Sequence, residues 1–150
     1  KLFNAMFKDA STAEILVLAQ RYAVDLMHDL NPQLLQQLKR HQFNGDDVVI
    51  VSASVDIYLQ YICQQLNVDL LCTETEIKNL QFTGQYSTPD CSREQKKIRI
   101  LEQYDLENYV AIYAYGNSDE DDAMLSLATY SYMVGSDHSL PEIVTYKKLA

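Results

Sequence analysis

A strand-like run gives way to a turn and then to a helical pattern in Tyr115-Gly116-Asn117-Ser118-Asp119-Glu120-Asp121-Asp122-Ala123-Met124-Leu125. The preceding residues, 110–114, are apolar, aromatic and partly β-branched, as in a buried strand. A strand that ends in a glycine turn and presents amide and carboxylate oxygens there often forms a ligand or metal site in α/β proteins. Acidic residues in a first helical turn also complement the positive end of the helix dipole. The segment alone therefore fits either a cation site or a favourably charged helix start.

The charge balance of the chain limits its partners. Among 150 residues, 21 are acidic and 12 are basic, which gives a net charge of −9. Binding to a nucleic-acid backbone needs clustered Lys and Arg, so we expect no nucleic-acid partner. No apolar run is long enough to predict a transmembrane segment. A small phosphorylated substrate, met by one or two local cations, stays compatible with this composition.

The cysteines and histidines show no metal-ligand spacing. The odd number of cysteines and the absence of a CxxC motif predict buried free thiols and a reducing, cytoplasmic location. The eleven tyrosines are spread along the chain and are expected to pack in the core and at its rim. The residues concerned are Cys63, Cys72, Cys91, His28, His41 and His138.

Hydrophobic periodicity predicts an alternation of helices and strands. The alternation from residue 32 onward predicts an α/β fold with a parallel sheet and helices on both of its faces. The predicted helices are 11–30, 32–43, 55–66, 92–104 and 124–128, and the predicted strands are 48–51, 68–72, 110–114, 130–134 and 143–146, with a small hairpin at 82–86.

Local signals set several of these boundaries. Ser11 to Glu14 has the spacing of a capping box that opens the first helix. Asn31-Pro32 predicts an N-cap followed by proline at the first helical position, and Asn44-Gly45 predicts the end of that helix. The continuous apolar run 48–51 is typical of a strand buried on both faces, which Ser52-Ala53-Ser54 would break.

Three groups of polar residues follow predicted strands or open the next helix, where open α/β sheets bind ligands. The Ser52 hydroxyl can hydrogen-bond an anionic oxygen, although Ser52 or Ser54 could equally be the N-cap of the following helix. Lys96 and Lys97 lie near a helix start, against the dipole preference, and one of them is a candidate for meeting a ligand's negative charge. Asn117 could ligate a cation or stabilise its turn, and Asp121 could bind a metal directly or orient its water.

These motifs, taken together, resemble those of haloacid dehalogenase-like phosphatases, and most closely the phosphoserine-phosphatase-like branch (subfamily IB). Val-Ile-Val-Ser at 49–52, the lysine at 96, and Gly-Asn-Ser-x-x-Asp-x-x-Met-Leu at 116–125 occur in the order and at the spacing of that family's second, third and fourth motifs. The hairpin residues Thr83-Gly84 and Cys91, five residues before the lysine, add to the resemblance, which covers about residues 5–135.

The resemblance implies a Rossmann-like, three-layer α/β core with part of a helical cap. Residues 1–30 would be the C-terminal part of the cap, and residues 31–150 the core without its first strand. The activity implied is Mg²⁺-dependent hydrolysis of a phosphomonoester, in which an aspartate attacks phosphorus and forms an aspartyl-phosphate.

The same resemblance implies a role for each candidate residue. Ser52, with Ala53 beside it, would bind the transferring phosphate, and Lys96 would neutralise charge on the phosphate and on the nucleophile. Asn117 and Asp121 would hold Mg²⁺ directly or through water. Lys97 is the alternative to Lys96, because the apolar register of this helix is ambiguous by one residue.

Two departures from the family pattern bear on activity. The family usually carries aspartate where this chain has Asn117, an uncharged and weaker ligand. An apolar strand followed by Asp-x-Asp-x-Thr, the nucleophile motif, occurs nowhere in the 150 residues. Because the chain starts at Lys1 rather than at methionine, we expect an upstream segment to carry the nucleophile and to pack against this chain. The alternative is a non-catalytic binding or scaffold module that has lost the nucleophile.

Overall fold

The computed structural model describes residues 11–145. The helices are α1 (Thr12–His28), α2 (Pro32–Phe43), α3 (Asp56–Leu66), α4 (Glu94–Gln103) and α5 (Asp122–Leu125), with 3₁₀ turns at Leu106–Asn108 and Asp119–Asp121. The strands are β1 (Val49–Val55), β2 (Asp69–Thr73), β3 (Thr75–Lys78), β4 (Gln81–Tyr86), β5 (Tyr113–Gly116) and β6 (Tyr130–Met133). None of the helices in this range is both long and apolar enough to cross a membrane.

The strands form three separate pairs. β1 and β2 are parallel and connected through α3, and β5 and β6 are parallel and connected through α5. β3 and β4 form an antiparallel hairpin, whose turn residues Asn79 and Leu80 both have positive φ, as the tightest hairpin turns require. The predicted α/β class with parallel strands and helical connections is confirmed.

The core forms where α1 packs against α3. Ala19 contributes to one buried cluster with Ile57 and Phe82, and Ala23 contributes to a second that includes Leu59. The alanines have small side chains, so they allow the two helices to approach closely. This packing holds α1 against the β1–α3–β2 unit.

Side chains from α2 and α4 connect the two parallel pairs. From α2, His41 contacts Tyr115 of β5, while Gln42 Nε2 donates to the Leu66 carbonyl, 2.7 Å away, at the end of α3. From α4, Arg99 Nη1 donates to the Cys72 carbonyl of β2, and the helix also contacts α5. In the described residues, no ladder joins β1 to β5, so each of these strands has one edge without a strand partner.

The structure corrects the predicted boundaries of β1. The strand continues through Ser52-Ala53-Ser54 to Val55, with an irregular register between Ser52 and Val55, so the predicted break at Ser52 is wrong. The predicted burial of residues 48–51 on both faces is also wrong, because these residues are half-buried. Their exposure is consistent with a strand that has a partner on one edge only within residues 11–145.

Helix ends follow the predictions in two cases and differ in a third. The Asn31 side chain accepts hydrogen bonds from the amides of Gln33 and Leu34, as an N-cap does. The capping box at Ser11 is not formed, because Ser11 pairs with Gln81 of the hairpin and its side chain caps nothing. Gly45 follows α2 with φ +82°, which confirms the glycine end signal.

The remaining differences lie near the C-terminal end. β5 begins at Tyr113, three residues later than predicted, and α5 ends at Leu125 because the chain tightens into 3₁₀-type turns at 127 and 128. The predicted strand 143–146 is wrong for residues 143–145, which are not in a strand, and residue 146 lies outside the described residues. The division into a cap (1–30) and a core (31–150) stays a prediction, and residues 1–10 and 146–150 also lie outside the described range.

Candidate active site

The end of β5 folds into a tight loop built around one carboxylate. Asp121 Oδ2 accepts a hydrogen bond of 2.9 Å from the Asn117 backbone amide, and the Asp121 amide donates to the Ser118 carbonyl. A Cβ at Gly116 would lie 2.8 Å from the Asp121 Cβ, closer than side-chain atoms come. The glycine is therefore needed for this close approach, and the loop fixes Asp121 at the carboxyl end of a parallel strand.

Lys96, on the first turn of α4, pairs with this carboxylate. Lys96 Nζ lies 2.5 Å from Asp121 Oδ1, and the two side chains are only 9% and 5% exposed. Burial alone would raise the pKa of Asp121, but hydrogen bonds from Lys96 and from the Asn117 and Ser118 amides, together with the Lys96 charge, hold that pKa below its ordinary value. The carboxylate is thus kept ionised and in a fixed orientation.

The neighbouring lysine has different surroundings. Lys97 is half-buried and forms no hydrogen bond or ion pair with another residue of the described part of the chain. Consecutive residues of a helix point about 100° apart, so only one of the two lysines can face Asp121. The geometry selects Lys96 as the lysine that faces the loop.

A second ion pair joins the same two segments. Arg93, immediately before α4, places Nη1 3.7 Å from Oδ2 of Asp119, and the side chains are 62% and 75% exposed. Arg93 has φ 49° and ψ −123°, a conformation that non-glycine residues rarely adopt and that costs on the order of 1–3 kcal/mol. A charged pair therefore lies on the solvent side of the buried pair.

Ser52 and Ala53 lie near the end of β1, and their polar atoms have local partners. Ser52 Oγ accepts from the Ser54 amide at 3.1 Å, and the Ala53 carbonyl accepts from Thr73 Oγ1 at 2.9 Å. The N-cap of α3 is Val55 without a side-chain cap, so the alternative that Ser52 or Ser54 caps this helix is wrong. Thr73, which sequence reasoning missed, also accepts from the Cys91 amide and so connects β1, β2 and the segment before α4.

The predicted residues are therefore brought together in part. Lys96, Asp121 and the Asn117 backbone share direct contacts. Ser52 and Ala53 make no hydrogen bond or ion pair with these three residues, although α4, which carries Lys96, also contacts β1. The structure thus contains one connected group of Lys96, Asp121 and Asn117, with a polar strand end beside the same helix.

The oxygen donors for a metal come from two residues of the connected group. The Asn117 side chain is exposed and has no hydrogen-bond partner in residues 11–145, and Asp121 contributes a carboxylate whose two oxygens are already engaged. Within these residues, no three His, Cys, Asp or Glu side chains are arranged to hold a metal ion. An amide and a carboxylate oxygen fit Mg²⁺, and a full shell would need further oxygens from water, substrate or another segment.

A second polar network, missed by sequence reasoning, joins α2 to β5, the strand that leads into the loop. The imidazole of His41 bridges Asp46 Oδ2 and the Tyr115 hydroxyl, with 2.7 Å on each side, and Gln37 Nε2 donates to the same hydroxyl. His41 and Gln37 are buried polar residues. Gln37 and His41 share one face of α2 at i and i+4, but this spacing does not identify their partner, which is far away in sequence on β5.

The solved structures of similar fold include proteins from three bacteria. A protein of unknown function from Bordetella pertussis Tohama I shares 22% identity at a TM-score of 0.75, covering 81% of this chain and 57% of that one. A probable phosphoserine phosphatase from Vibrio cholerae shares 21% at 0.61, covering 85% and 38%. A hydrolase of the haloacid dehalogenase family from Salmonella enterica serovar Typhi shares 25% at 0.57, covering 66% and 35%. The chain thus spans less than two thirds of each structure.

A search of curated protein sequences gives no match. The family model for haloacid dehalogenase-like hydrolases matches residues 1–126, most of the chain. That match includes Ser52, Lys96, Asn117 and Asp121, and the solved structures agree with it in fold, including the likeness to a phosphoserine phosphatase. The chain belongs to the haloacid dehalogenase-like hydrolase family.

Proposed function

We propose that the protein hydrolyses a small phosphomonoester in an Mg²⁺-dependent reaction that passes through an aspartyl-phosphate. The observation that carries the proposal is the buried pair of Lys96 and Asp121 at the carboxyl end of a parallel strand, in a chain of this hydrolase family. Burying a lysine and a carboxylate is costly, and removing either leaves an unpaired charge. Such a pair is better suited to a charged ligand than to fold stability alone.

Each residue has a defined task in this reaction. Lys96 neutralises charge on the phosphoryl group and on the nucleophile, and it keeps the Asp121 carboxylate oriented. The Ser52 hydroxyl donates a hydrogen bond to a phosphoryl oxygen while its oxygen still accepts from the Ser54 amide, and Ala53 borders the phosphate. Asn117 and Asp121 hold Mg²⁺ directly or through water. When bound, the metal would supply further neutralisation of the phosphoryl oxygens.

The nucleophile is proposed to come from a strand outside the described residues that lies between β1 and β5. Three features support this placement: within residues 11–145, β1 and β5 each have an edge without a partner strand, helices α2 and α4 connect both pairs, and residues 49–51 are half-exposed. An aspartate at the carboxyl end of that strand would attack phosphorus as the ester bond breaks. A second aspartate would donate a proton to the leaving oxygen, and water would then cleave the aspartyl-phosphate.

The test is Mg²⁺-dependent release of phosphate from an aryl phosphate by the full-length protein. We expect activity with Mg²⁺, its loss with chelator, and a decrease of at least about 100-fold in Lys96→Ala, since an electrostatic group of this kind contributes on that scale. Lys97→Ala is the matched control on the same helix and keeps most of the activity. Equal activity of the two variants would contradict the role of Lys96.

The second candidate function is a non-catalytic binding or scaffold module. One observation favours it: Asn117 stands where the family usually has aspartate. The coding sequence upstream of Lys1 separates the two functions. A strand that ends in Asp-x-Asp supports the enzyme, whereas its absence, together with inactivity in Mg²⁺, supports the module.

The substrate and location are part of the same proposal. A small phosphorylated molecule suits a site with one buried lysine and an acidic surround better than a nucleic acid does. The three cysteines are free and buried, which supports a reducing compartment such as the cytoplasm.

A further inference from the structure

The two ion pairs between the α4 region and the β5 loop differ in the distance between their charged atoms and in their burial. The inner pair, Lys96 with Asp121, is buried and joined by a hydrogen bond. The outer pair, Arg93 with Asp119, is separated by 3.7 Å and is mostly exposed. An exposed ion pair contributes little to stability and exchanges readily. The outer pair is therefore available for another partner.

Arg93 differs in this respect from the other arginine of this region. Arg99 is only 16% exposed and donates to the Cys72 carbonyl at 2.7 Å, so its guanidinium is already engaged in the fold. The Arg93 guanidinium forms no hydrogen bond within residues 11–145, and its ion pair there is the exposed one with Asp119. A planar guanidinium has five N–H donors and can bind a carboxylate or phosphate through two of them. Most of this capacity is unused at Arg93.

The position of Arg93 relative to the reacting groups is set by the backbone. A short turn, in which the Ser92 amide donates to the Asp90 carbonyl, leads into Arg93, and the Arg93 carbonyl then accepts from the Lys96 amide. Asp119 lies two residues from Asn117 and two from Asp121. The outer pair thus stands one helical turn from the lysine and directly beside the proposed metal ligands.

The acidic residues of the β5 loop affect which substrates can bind. Asp119, Glu120 and Asp122 are exposed acidic residues in the same loop and would repel a substrate that carries a second negative group. Arg93 is the cation that can offset this repulsion, if the substrate's second anionic group replaces Asp119 as its partner. Asp119 would then act as an internal competitor that disfavours substrates without such a group.

We propose that Arg93 is a specificity-determining residue that binds a second anionic group, such as a carboxylate, on the phosphomonoester substrate, in exchange for Asp119. The inference rests on the proposed phosphatase function and deepens it. It assigns the substrate class as phosphomonoesters with a further negative charge close to the phosphate.

The test compares two substrates that differ in one group. Phosphoglycolate carries a carboxylate where ethyl phosphate carries a methyl group, and kcat/KM is measured for both with full-length protein and Mg²⁺. The ratio of the two values cancels differences in folding or active fraction between variants. We expect wild type to prefer phosphoglycolate, and Arg93→Gln to lower the ratio roughly three- to fivefold, the scale of an exposed ion pair.

Two further variants and a control complete the design. Arg93→Lys should retain part of the preference for phosphoglycolate, because lysine keeps the positive charge but cannot form the bidentate contact of a guanidinium. Asp119→Asn should raise the ratio, because it removes the competitor. Arg40→Gln on α2, a matched loss of charge away from the loop, should leave the ratio at the wild-type value.

The possible outcomes distinguish the proposed role of Arg93 from the proposed phosphatase function. If wild type hydrolyses both esters and Arg93→Gln keeps the wild-type ratio, the specificity role is refuted while the phosphatase function stands. If wild type hydrolyses neither ester in Mg²⁺, the proposed function fails and the inference fails with it.

Discussion

Lys96 and Asp121 form a buried ion pair in which 2.5 Å separates Nζ from Oδ1, although the two residues are 25 positions apart in sequence. The pair connects the first turn of α4 to the loop after β5. Because both side chains are almost fully removed from solvent, loss of either one leaves the other charge buried and uncompensated. The pair therefore links the proposed chemistry to the stability of the fold.

Loss of the lysine should destabilise the protein strongly. Lys96→Met keeps most of the apolar stem but leaves the Asp121 carboxylate buried and unpaired, and we expect a decrease of about 3–5 kcal/mol in the free energy of unfolding. Urea denaturation of the full-length protein measures it. Lys97→Met is the control and should change stability by no more than about 0.5 kcal/mol. A double variant, Lys96→Met with Asp121→Asn, should cost less than the sum of the two single variants; additive costs would contradict a direct pairing.

The same pair predicts how stability depends on pH. The pKa of Asp121 is lower in the folded state than its unfolded value of about 3.9. Its contribution to stability is therefore fully present above that value and is lost as pH falls through the lower, folded-state pKa. We expect the wild type to lose stability more steeply than Asp121→Asn as pH decreases below about 4. Urea midpoints measured across this range would show parallel curves if the carboxylate were not stabilised by its partners.

Gly116 should be intolerant of a methyl group for steric reasons. An alanine Cβ would lie 2.8 Å from Asp121 Cβ and 3.1 Å from Oδ2, so the loop must shift and the placement of the carboxylate against Lys96 is disturbed. We expect Gly116→Ala to cost about 1–3 kcal/mol, as overpacking does. Gly45→Ala, where open space surrounds the site but φ is +82°, should cost about 1 kcal/mol through the backbone alone.

The dependence of stability on pH distinguishes these two glycine variants better than the size of the decrease in the free energy of unfolding. Gly116→Ala should lose less stability than the wild type does as pH falls below about 4. The reason is that the displaced carboxylate has already lost part of its contact with Lys96. Gly45→Ala should be less stable than the wild type at every pH, but its stability should fall with pH as steeply. If the stability of Gly116→Ala fell with pH as steeply as that of the wild type, the loop would accommodate the methyl group without moving Asp121.

Local patterns were sufficient to predict much of the fold. The α2 start at Asn31-Pro32, its end at Gly45 and the β1–α3–β2 unit follow from capping and periodicity, which involve neighbouring residues. The capping box at Ser11 failed because a tertiary partner, the hairpin residue Gln81, holds the backbone there. The extension of β1 to Val55 was missed because Ser and Ala tolerate extended backbone that a strand partner imposes.

The candidate site was predictable only as far as spacing and resemblance reach. Lys96, Asn117 and Asp121 were identified from motifs, and the choice between Lys96 and Lys97 needed the direction of α4 relative to the loop. The ion pair of Arg93 with Asp119 and the His41–Tyr115 contact could not be predicted, since both join residues distant in sequence. Such contacts depend on how elements pack, which periodicity does not encode.

The Tyr115 hydroxyl connects β5 to α2 through His41 and Gln37. Burial raises the pKa of Tyr115, so the hydroxyl stays protonated at neutral pH and can donate to His41 Nε2 while it accepts from Gln37 Nε2. His41 Nδ1 then carries its proton toward Asp46 Oδ2, 2.7 Å away. The network thus orients the His41 ring and holds the strand that leads into the candidate site.

Tyr115→Phe should therefore destabilise the protein by about 1–3 kcal/mol, because it leaves the buried His41 Nε2 without a partner. Tyr130→Phe is the matched control: Tyr130 stacks on Tyr113 with ring centroids 4.9 Å apart, is 40% exposed, and has no hydroxyl partner in the described part of the chain. We expect that control to change stability by less than about 0.5 kcal/mol. Nitrogen-15 NMR of the imidazole gives the independent readout, since only Tyr115→Phe should shift the Nε2 resonance of His41. Equal losses in the two variants, with an unshifted imidazole, would show that the ring of Tyr115 and not its hydroxyl joins β5 to α2.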